Sequence, residues 1–544
     1  MKNGVIEKIL KKRGVVDTQA FLNPDYNATK HDPFLLSDMD KAVRRIIQAV
    51  EQNDKVVIYG DYDVDGIAAT AILADALPKF GLDISTYTPD RFTEGYGLNM
   101  EAVEKLASGG ANLVVTVDCG SLSVDEVAEA NRLGVDVIVT DHHVVGEKLP
   151  EAVAVINPHR KYDKYPFADL AGCGVAFKLV QALQTKLDGL PSGQEKWLLD
   201  LVALGTVCDI VPLVNENRNN VYWGLEVLKK TRRAGLRALM AVAKMRPSEV
   251  SARQLGFVLG PRLNAAGRLE TAKQALELLT TANNTRALEL ARRLDELNLE
   301  RRAEQDRIFG EVVLKLEADP DLARGIVVVD GEGWNEGVIG IVASKVMEKY
   351  RRPAIVVSKN AAEAKASGRS FGDFALAAAI AATRQYLTKG GGHAAAGGAS
   401  LATKNIGKWR QALQEFYGSL GLKNQEKFLL PSEDVEAATV SELSLELVEE
   451  LAKLEPFGMG NERPVFRLSG MSAKYVDRIG KDKNHLKLTI DDGAKQLKLL
   501  AFDPPENWFV ELGDRVDVWA NLEVNEWNGA QSVEGRIAWL EQKS

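Results

Sequence analysis

Between about residues 40 and 215, short apolar runs alternate with segments of helical pattern. The runs KVVIYG, DISTYTP, NLVVTVD, VDVIVTD and AVAVIN are separated by stretches such as GIAATAILADAL and EVAEANRLG. Continuous β-branched runs bounded by polar residues mark strands buried on both faces, which predicts a parallel α/β sheet. In such sheets ligands bind beyond the carboxyl ends of the strands, near the topological switch point. The residues just after each run are therefore where chemistry is expected.

From Thr285 to about Leu316 the pattern predicts one long helix, capped by Asn284 or Thr285 and roughly 45 Å long. A second α/β unit follows, with GIVVVDG, a helix through VIGIVASKVMEKY, PAIVVSK and the glycine-rich GGGHAAAGGAS. Beyond the loop EPFGMGNERP the chain turns β-like. HLKLTI and QLKLLAF flank a DDG turn, and RVDVWANLEV leads into NEWNG, which predicts a small OB-type barrel over 455–544. The predicted organisation is an N-terminal segment 1–39, an α/β domain 40–283, a connector helix 284–318, a smaller α/β domain 319–425, and a linker with an OB-like domain over 426–544.

Composition narrows the class. Hydrophobic residues make up 45% and charged ones 26%, as in folded, water-exposed domains. No apolar run reaches the roughly 18 residues of a membrane span, and MKNGVIEKILKKRG lacks the apolar core of a signal peptide, so a cytosolic protein is expected. Cys119, Cys173 and Cys208 show no CxxC spacing and read as reduced, buried small hydrophobes. The net charge of −8 argues against a generally basic nucleic-acid coat. One stretch runs the other way: Lys229, Lys230, Arg232, Arg233, Arg237, Lys244 and Arg246 fall together with no acid among them. It reads equally well as a phosphate-binding patch or a solvated helix face. Trp508, Trp519, Trp527 and Trp539 crowd the last 40 residues and fit either base stacking or the barrel core, with core favoured.

The first run leads straight into Gly60-Asp61-Tyr62-Asp63-Val64-Asp65-Gly66. A phosphate loop would offer glycine amides and a lysine; three alternating carboxylates would repel phosphate unless cations stood between. Helix capping explains one Asp but not three, so the pattern favours hard cations bound through oxygen. The third run ends in Asp118-Cys119-Gly120 and the fourth in Asp141-His142-His143, on the same predicted edge. Imidazole among carboxylates suits manganese, with magnesium and zinc less favoured. Asp209 lies in the apolar context GTVCDIVP and needs a partner there. Basic residues for substrate are Arg91 in PDRFTEGYG, just after the second run on the edge of the acids, and Arg262 and Arg268 in GPRLNAAGR, Arg369 in SGRS and His393 in GGGH, in loops of glycine and small residues.

DYDVDG, VDCG and DHH, in this order, resemble the DHH phosphoesterase superfamily. Ser367-Gly368-Arg369-Ser370 and Gly390-Gly391-Gly392-His393 resemble its DHHA1 domain. With the long connector helix and the OB-like tail, the likeness covers nearly the whole chain and is to the superfamily's bacterial single-strand-specific exonucleases. The resemblance implies that Asp63, Asp65, Asp118, His142 and Asp209 ligate two manganese or magnesium ions, with Asp118 bridging. Asp61 and Asp141 would stand in or just behind the ligand set, and His143 would face the scissile phosphate. It also implies a 5′→3′ exonuclease that releases mononucleotides from single-stranded DNA in repair and recombination, with DHH and DHHA1 domains flanking the substrate groove. Polarity needs a pocket for one terminus, and Ser367, Arg369 and Ser370 suit a 5′ phosphate, with Arg268 or Arg91 as helpers.

The expected protein is a monomer, with single-strand-binding protein or a RecQ-like helicase as partner and no membrane. Two other readings stay open: a DHH phosphodiesterase on cyclic dinucleotides or short oligoribonucleotides, and a non-catalytic DNA-binding scaffold. The basic run and β-rich tail count against the first, the intact acids against the second.

Overall fold

The computed structural model describes residues 2–543 apart from 92, 424, 438, 482, 506 and 507. The chain forms two compact units: Gln19–Glu300 with Glu455–Glu462, and Met1–Thr18 with Arg301–Leu454 and Arg463–Ser544.

The first unit is built on five parallel strands, β1 (Lys55–Gly60), β2 (Asp83–Tyr87), β3 (Leu113–Val117), β4 (Asp136–Thr140) and β5 (Ala154–Ile156), in the order β2-β1-β3-β4-β5. All five predicted runs are strands. Their lack of alternation has a direct cause. Val56, Ile58, Val115 and Ile138 face one core, while Val57, Tyr59, Val114, Val137 and Val139 face another. The strand order reverses direction between β1 and β3, which makes that edge the switch point. Against it lies helix Val64–Ala76, whose residues Val64 to Leu73 are all buried, so it is covered all round rather than amphipathic.

Loop Glu455–Glu462 belongs to this unit. The Leu213 amide donates to the Met459 carbonyl at 2.7 Å, and Arg218 donates to the Glu455 carbonyl at 2.8 Å. The sequence pattern placed this segment at the start of the OB-like region. The backbone bonds it finds near Leu213 are long-range and have no local signature.

The connector is one helix, Asn284–Ala318, of 35 residues. Its cap is Asn283, whose side chain accepts from the amides of Thr285 and Arg286, one residue before the expected position.

In the second unit one sheet has the order β6-β7-β8-β10-β9, from β6 (Val327–Glu332), β7 (Ala354–Lys359), β8 (Glu363–Arg369), β9 (Lys389–Gly392) and β10 (Ala396–Ala402). Another holds β11 (Val435–Ala437), β12 (Val465–Ile479), β13 (His485–Asp491), β14 (Gln496–Ala501), β15 (Arg515–Trp527) and β16 (Ala530–Lys543). Pairing of β12 with β15 closes five of these six strands into a ring, which removes their open edges as a barrel does. Trp508 and Trp519 are buried, Trp539 is half-buried, and Trp527 is 74% exposed.

Candidate metal centre and substrate residues

The acids converge where β1 and β3 end. Gly60 closes β1 so near the next helix that a β-carbon on it would stand 2.0 Å from the Thr70 hydroxyl oxygen, which only glycine avoids. The chain then turns through Asp61 into helix Val64–Ala76. Asp63 is its N-cap, with Oδ1 accepting from the amides of Asp65 and Gly66 at 2.9 and 3.1 Å. Capping accounts for this one carboxylate. Asp65 points the other way, and its two oxygens accept from the amides of Gly172 and Cys173 at 2.6 and 3.0 Å, at the start of helix Gly172–Gln184. That positive helix end favours a buried carboxylate.

Asp118 follows β3 with φ of 62°, a left-handed conformation that aspartate adopts more readily than most residues. Its Oδ1 lies 3.1 Å from His142 Nε2 and 3.8 Å from His143 Nδ1. Asp209 closes helix Leu199–Cys208 and brings its Oδ2 within 3.6 Å of the same Nε2, with Asp65 Oδ2 at 3.9 Å. Three overlapping sets of ligand atoms result, each spanning at most 4.8 Å: Asp61, Asp63 and Asp118; Asp65, His142 and Asp209; Asp118, His142 and His143. Asp118 and His142 each belong to two sets.

This cluster is not satisfied from within. Asp61 Oδ1, Asp118 Oδ1 and His142 Nε2 are buried and make no hydrogen bond. Buried polar atoms are normally paired, so these three point to a missing cationic partner. The electrostatics agree. Burial, then the charge of Asp63, pushes Asp61 up to about 8. Burial, then Asp65 and Asp63, pushes Asp209 up to about 9. Asp118 rises well above the ordinary carboxylate range through burial and four neighbouring acids. Five carboxylates crowded together are costly even with His143 beside them, and divalent cations with oxygen and imidazole ligands fit the donor set.

Asp141 plays a different part. Its oxygens accept from the amides of Ser121, His142 and His143 at 2.9, 2.8 and 3.1 Å, and Oδ1 also meets His143 Nδ1 at 2.8 Å. Burial would raise its pKa, but these bonds and the His143 charge hold it well below the usual range. Burial works against charge on His143, yet the Asp141 hydrogen bond and carboxylate lift it to about 9. The Asp141 carboxylate, with Asp209 and Asp63 beyond it, thus favours the protonated form of His143 beside the cluster.

Several contributors escaped the sequence. Asn157 donates to Ser121 Oγ and the His143 carbonyl, both at 2.8 Å, and the His159 ring meets the His142 carbonyl at 2.6 Å. Both stand just after β5, so the rule applied to the other strand ends would have found them. Tyr96 donates to the Asp118 carbonyl at 3.1 Å and lies 3.0 Å from His143 Nδ1. Gly172 and Gly205 make room for the acids: a β-carbon on Gly172 would meet Asp118 Oδ1 at 2.6 Å, and one on Gly205 would meet Asp65 Oδ1 at 2.5 Å.

The substrate candidates divide. Arg91 lays its guanidinium 5.1 Å from the Tyr62 ring centre, beside the acidic turn. GPRLNAAGR is a helix, Gly260–Leu269, and not a loop. It continues without a break from Ala252–Gln254 through a π-helical stretch, Leu255–Leu259, and Pro261, which has no N–H to give, follows directly on that stretch. Arg262 is bound to Asp295 at 2.9 Å and to the Val258 carbonyl at 2.7 Å, which makes it structural. Arg268 rides on that helix next to Gly267, where a β-carbon would stand 2.8 Å from the Tyr62 carbonyl oxygen.

In the second unit Ser367 and Arg369 end β8. Arg369 Nη1 donates to the Gly368 carbonyl at 2.8 Å and lies 3.4 Å from Ser367 Oγ. Gly340, in the first turn of helix Ile339–Tyr350, approaches both: a β-carbon there would be 2.9 Å from Ser367 Oγ and 3.3 Å from Arg369 Nη2. Ser370 departs from the expectation, because its buried hydroxyl donates to the Phe374 carbonyl at 2.6 Å and closes the local turn. His393 is exposed just beyond β9.

Known families match this arrangement. Residues 55–206 match the DHH family, N-terminal domain; residues 323–419 match the DHHA1 domain; and residues 435–538 match the RecJ OB domain. The chain is 38% identical over 531 residues to the single-stranded-DNA-specific exonuclease RecJ of Bacillus subtilis, covering 96% of this chain and 66% of that relative. It is 35% identical to the protein of the same name from Salmonella typhimurium, covering 92% of this chain and 89% of that one. The crystal structure of RecJ in complex with Mn2+ from Thermus thermophilus superposes with a TM-score of 0.82 at 28% identity, over 99% of this chain and 76% of the other. Sequence, domain order and fold agree: the chain belongs to the RecJ family of single-stranded-DNA-specific exonucleases.

Proposed function

We propose that this metal-dependent exonuclease degrades single-stranded DNA from its 5′ end to mononucleotides, in the cytoplasm, in repair and recombination. No helix among the described residues is long and apolar enough to cross a membrane. The observation that carries the reading is the set of buried, unbonded ligand atoms on Asp61, Asp118 and His142 within three overlapping clusters. Bound manganese or magnesium supplies Lewis acidity to phosphoryl oxygens and lowers the pKa of water. Asp61, Asp63, Asp65, Asp118, Asp209 and His142 are its proposed ligands, with Asp118 shared. Asp141 orients His143 and keeps it cationic, so that His143 offers its charge to the scissile phosphate as negative charge develops there. Tyr96, Asn157 and His159 fix the DHH backbone and ring that this requires. Single-strand-binding protein or a RecQ-like helicase is the proposed partner.

Digestion of single strands labelled at either end tests reaction, substrate and direction together. Early release of the 5′ label as a mononucleotide is expected; early release of the 3′ label would overturn the polarity.

For the end clamp we assign Ser367, Arg369 and the first turn at Gly340. Ser370 is left out because its hydroxyl is already engaged. Charge-assisted hydrogen bonds are worth about 1.5–3 kcal/mol, so Arg369→Ala should lower cleavage efficiency on 5′-phosphorylated strands by about 10–150-fold. Strands with a 5′ hydroxyl should lose much less, since the partner is already missing. Equal losses on the two substrates would make Arg369 a general strand contact.

A further inference from the structure

The basic run between Lys229 and Arg246 does not act as one surface. Lys229 is paired with Glu226 at 2.5 Å, and Arg246 is paired with Glu249. Arg233 is drawn inward, with Nη2 2.7 Å from Asp75 and Nε 3.2 Å from Asp200. Of the others, Arg232 and Arg237 line a cavity of about 390 Å³ in the first unit, together with Asp75, Trp197, Asp200 and the inward-drawn Arg233. This volume is within the roughly 300–1,000 Å³ typical of small-molecule sites.

The charges on its wall do not cancel. Asp75 and Asp200 are balanced by Arg233 and by Lys79, which also pairs with Asp75. Arg232 and Arg237 are both exposed, and neither has a carboxylate partner among the described residues. The Arg232 guanidinium stands 4.4 Å from the centre of the Trp197 ring, a cation–π contact. A guanidinium that is not paired with a carboxylate keeps its N–H donors for forked hydrogen bonds to an oxyanion. Ala234 and Asn284, the first residues of helices Ala234–Val242 and Asn284–Ala318, line the same cavity, as do Thr280 and Thr281 at the end of helix Lys273–Thr280. Two uncompensated arginines match a terminal phosphate, which carries about −1.5 to −2 at neutral pH. The cavity is larger than a lone phosphate needs, and Trp197 adds a ring surface for a base.

Asp75 stands ten residues beyond Asp65 on helix Val64–Ala76, about 15 Å along its axis, so the cavity is distinct from the metal centre. We infer that this cavity is a second binding site, for a nucleotide bearing a phosphate monoester, held between Arg232 and Arg237. Such a ligand comes either as a free mononucleotide or as the phosphorylated end of a strand. Only that source rests on the reading of the chain as a nuclease; binding is measured without turnover.

Equilibrium dialysis of labelled dAMP against the full chain with manganese tests the assignment. Arg232→Ala and Arg237→Ala, both at exposed positions, should each weaken one equivalent of bound dAMP by about tenfold or more and leave the melting temperature and strand hydrolysis unchanged. Stoichiometry and affinity equal to wild type in both variants would overturn the site. Competition by deoxyadenosine or inorganic phosphate as strong as by dAMP would overturn the nucleotide assignment. A hydrolysis-resistant phosphorothioate strand with a 5′ phosphate, compared with its 5′-hydroxyl counterpart, separates the sources. Displacement of this dAMP by the phosphorylated strand alone assigns the site to strand ends; displacement by neither strand assigns it to free mononucleotide.

Discussion

Replacing Asp118 with asparagine is expected to lower hydrolysis of single-stranded DNA by at least about 10²–10³-fold while making the metal-free protein more stable. The two effects have one cause. Asp118 belongs to two of the three ligand clusters and its Oδ1 is buried and unbonded, so losing its charge weakens the hold on cations throughout the site. Without cations, the same charge stands among four other acids. A carboxylate whose folded pKa is raised favours the folded state below its unfolded value near 4 and loses that advantage as pH rises through the folded value. For this cluster the loss extends to the range of about 8 to 9 reached by Asp61 and Asp209.

At pH 8 with chelator, therefore, Asp118→Asn should melt a few degrees above wild type, at about 2–4 °C per kcal/mol relieved for units of this size. At pH 4 the difference should vanish. Saturating manganese should reverse the order, because a ligand at 100 times its dissociation constant stabilises wild type by about 2.7 kcal/mol and the variant by less. A variant that melts below wild type in chelator at pH 8 would place Asp118 outside the charged cluster.

The second large effect is expected where no functional group exists. Gly172→Ala puts a methyl group where the nearest atom, Asp118 Oδ1, is 2.6 Å away, and Gly205→Ala puts one 2.5 Å from both Asp65 Oδ1 and Cys173 Sγ. Real contacts of this kind exceed 3 Å, so a carboxylate must move in each case. Displacement of a reacting group by about 1 Å can cost about 10²-fold in rate. Each variant should lose about that much turnover, with a higher manganese requirement and little change in binding of a long strand. Hydrolysis within threefold of wild type would show that the carboxylates can move without losing their geometry.

The sequence by itself determined the elements and the chemistry that stands at their ends. The runs around Val56, Val115 and Ile138 are continuous because each strand is covered on both faces, and this pattern is local. Asp61, Asp63, Asp65, Asp118, Asp141, His142 and His143 could be placed on one edge because parallel strands send their carboxyl ends the same way. Asp209 betrayed itself as a charge in an apolar segment.

Only the tertiary structure decided how these groups divide their roles. Asp141 and Asp61 look alike in sequence. One has every oxygen bonded by Ser121, His142 and His143, while the other keeps a buried oxygen unbonded. Ser367 and Ser370 flank the same arginine, yet Ser370 spends its hydroxyl on Phe374. Arg233 and Arg237 belong to one basic run, but contacts with Asp75 and Asp200, more than 30 residues away, bury the first and leave the second at a cavity mouth. Gly172 and Gly205 carry no signal at all, because their function is the space they leave for side chains 54 and 140 positions distant. Periodicity and residue type are properties of a segment, whereas hydrogen-bond satisfaction and free volume belong to pairs of segments that only folding brings together.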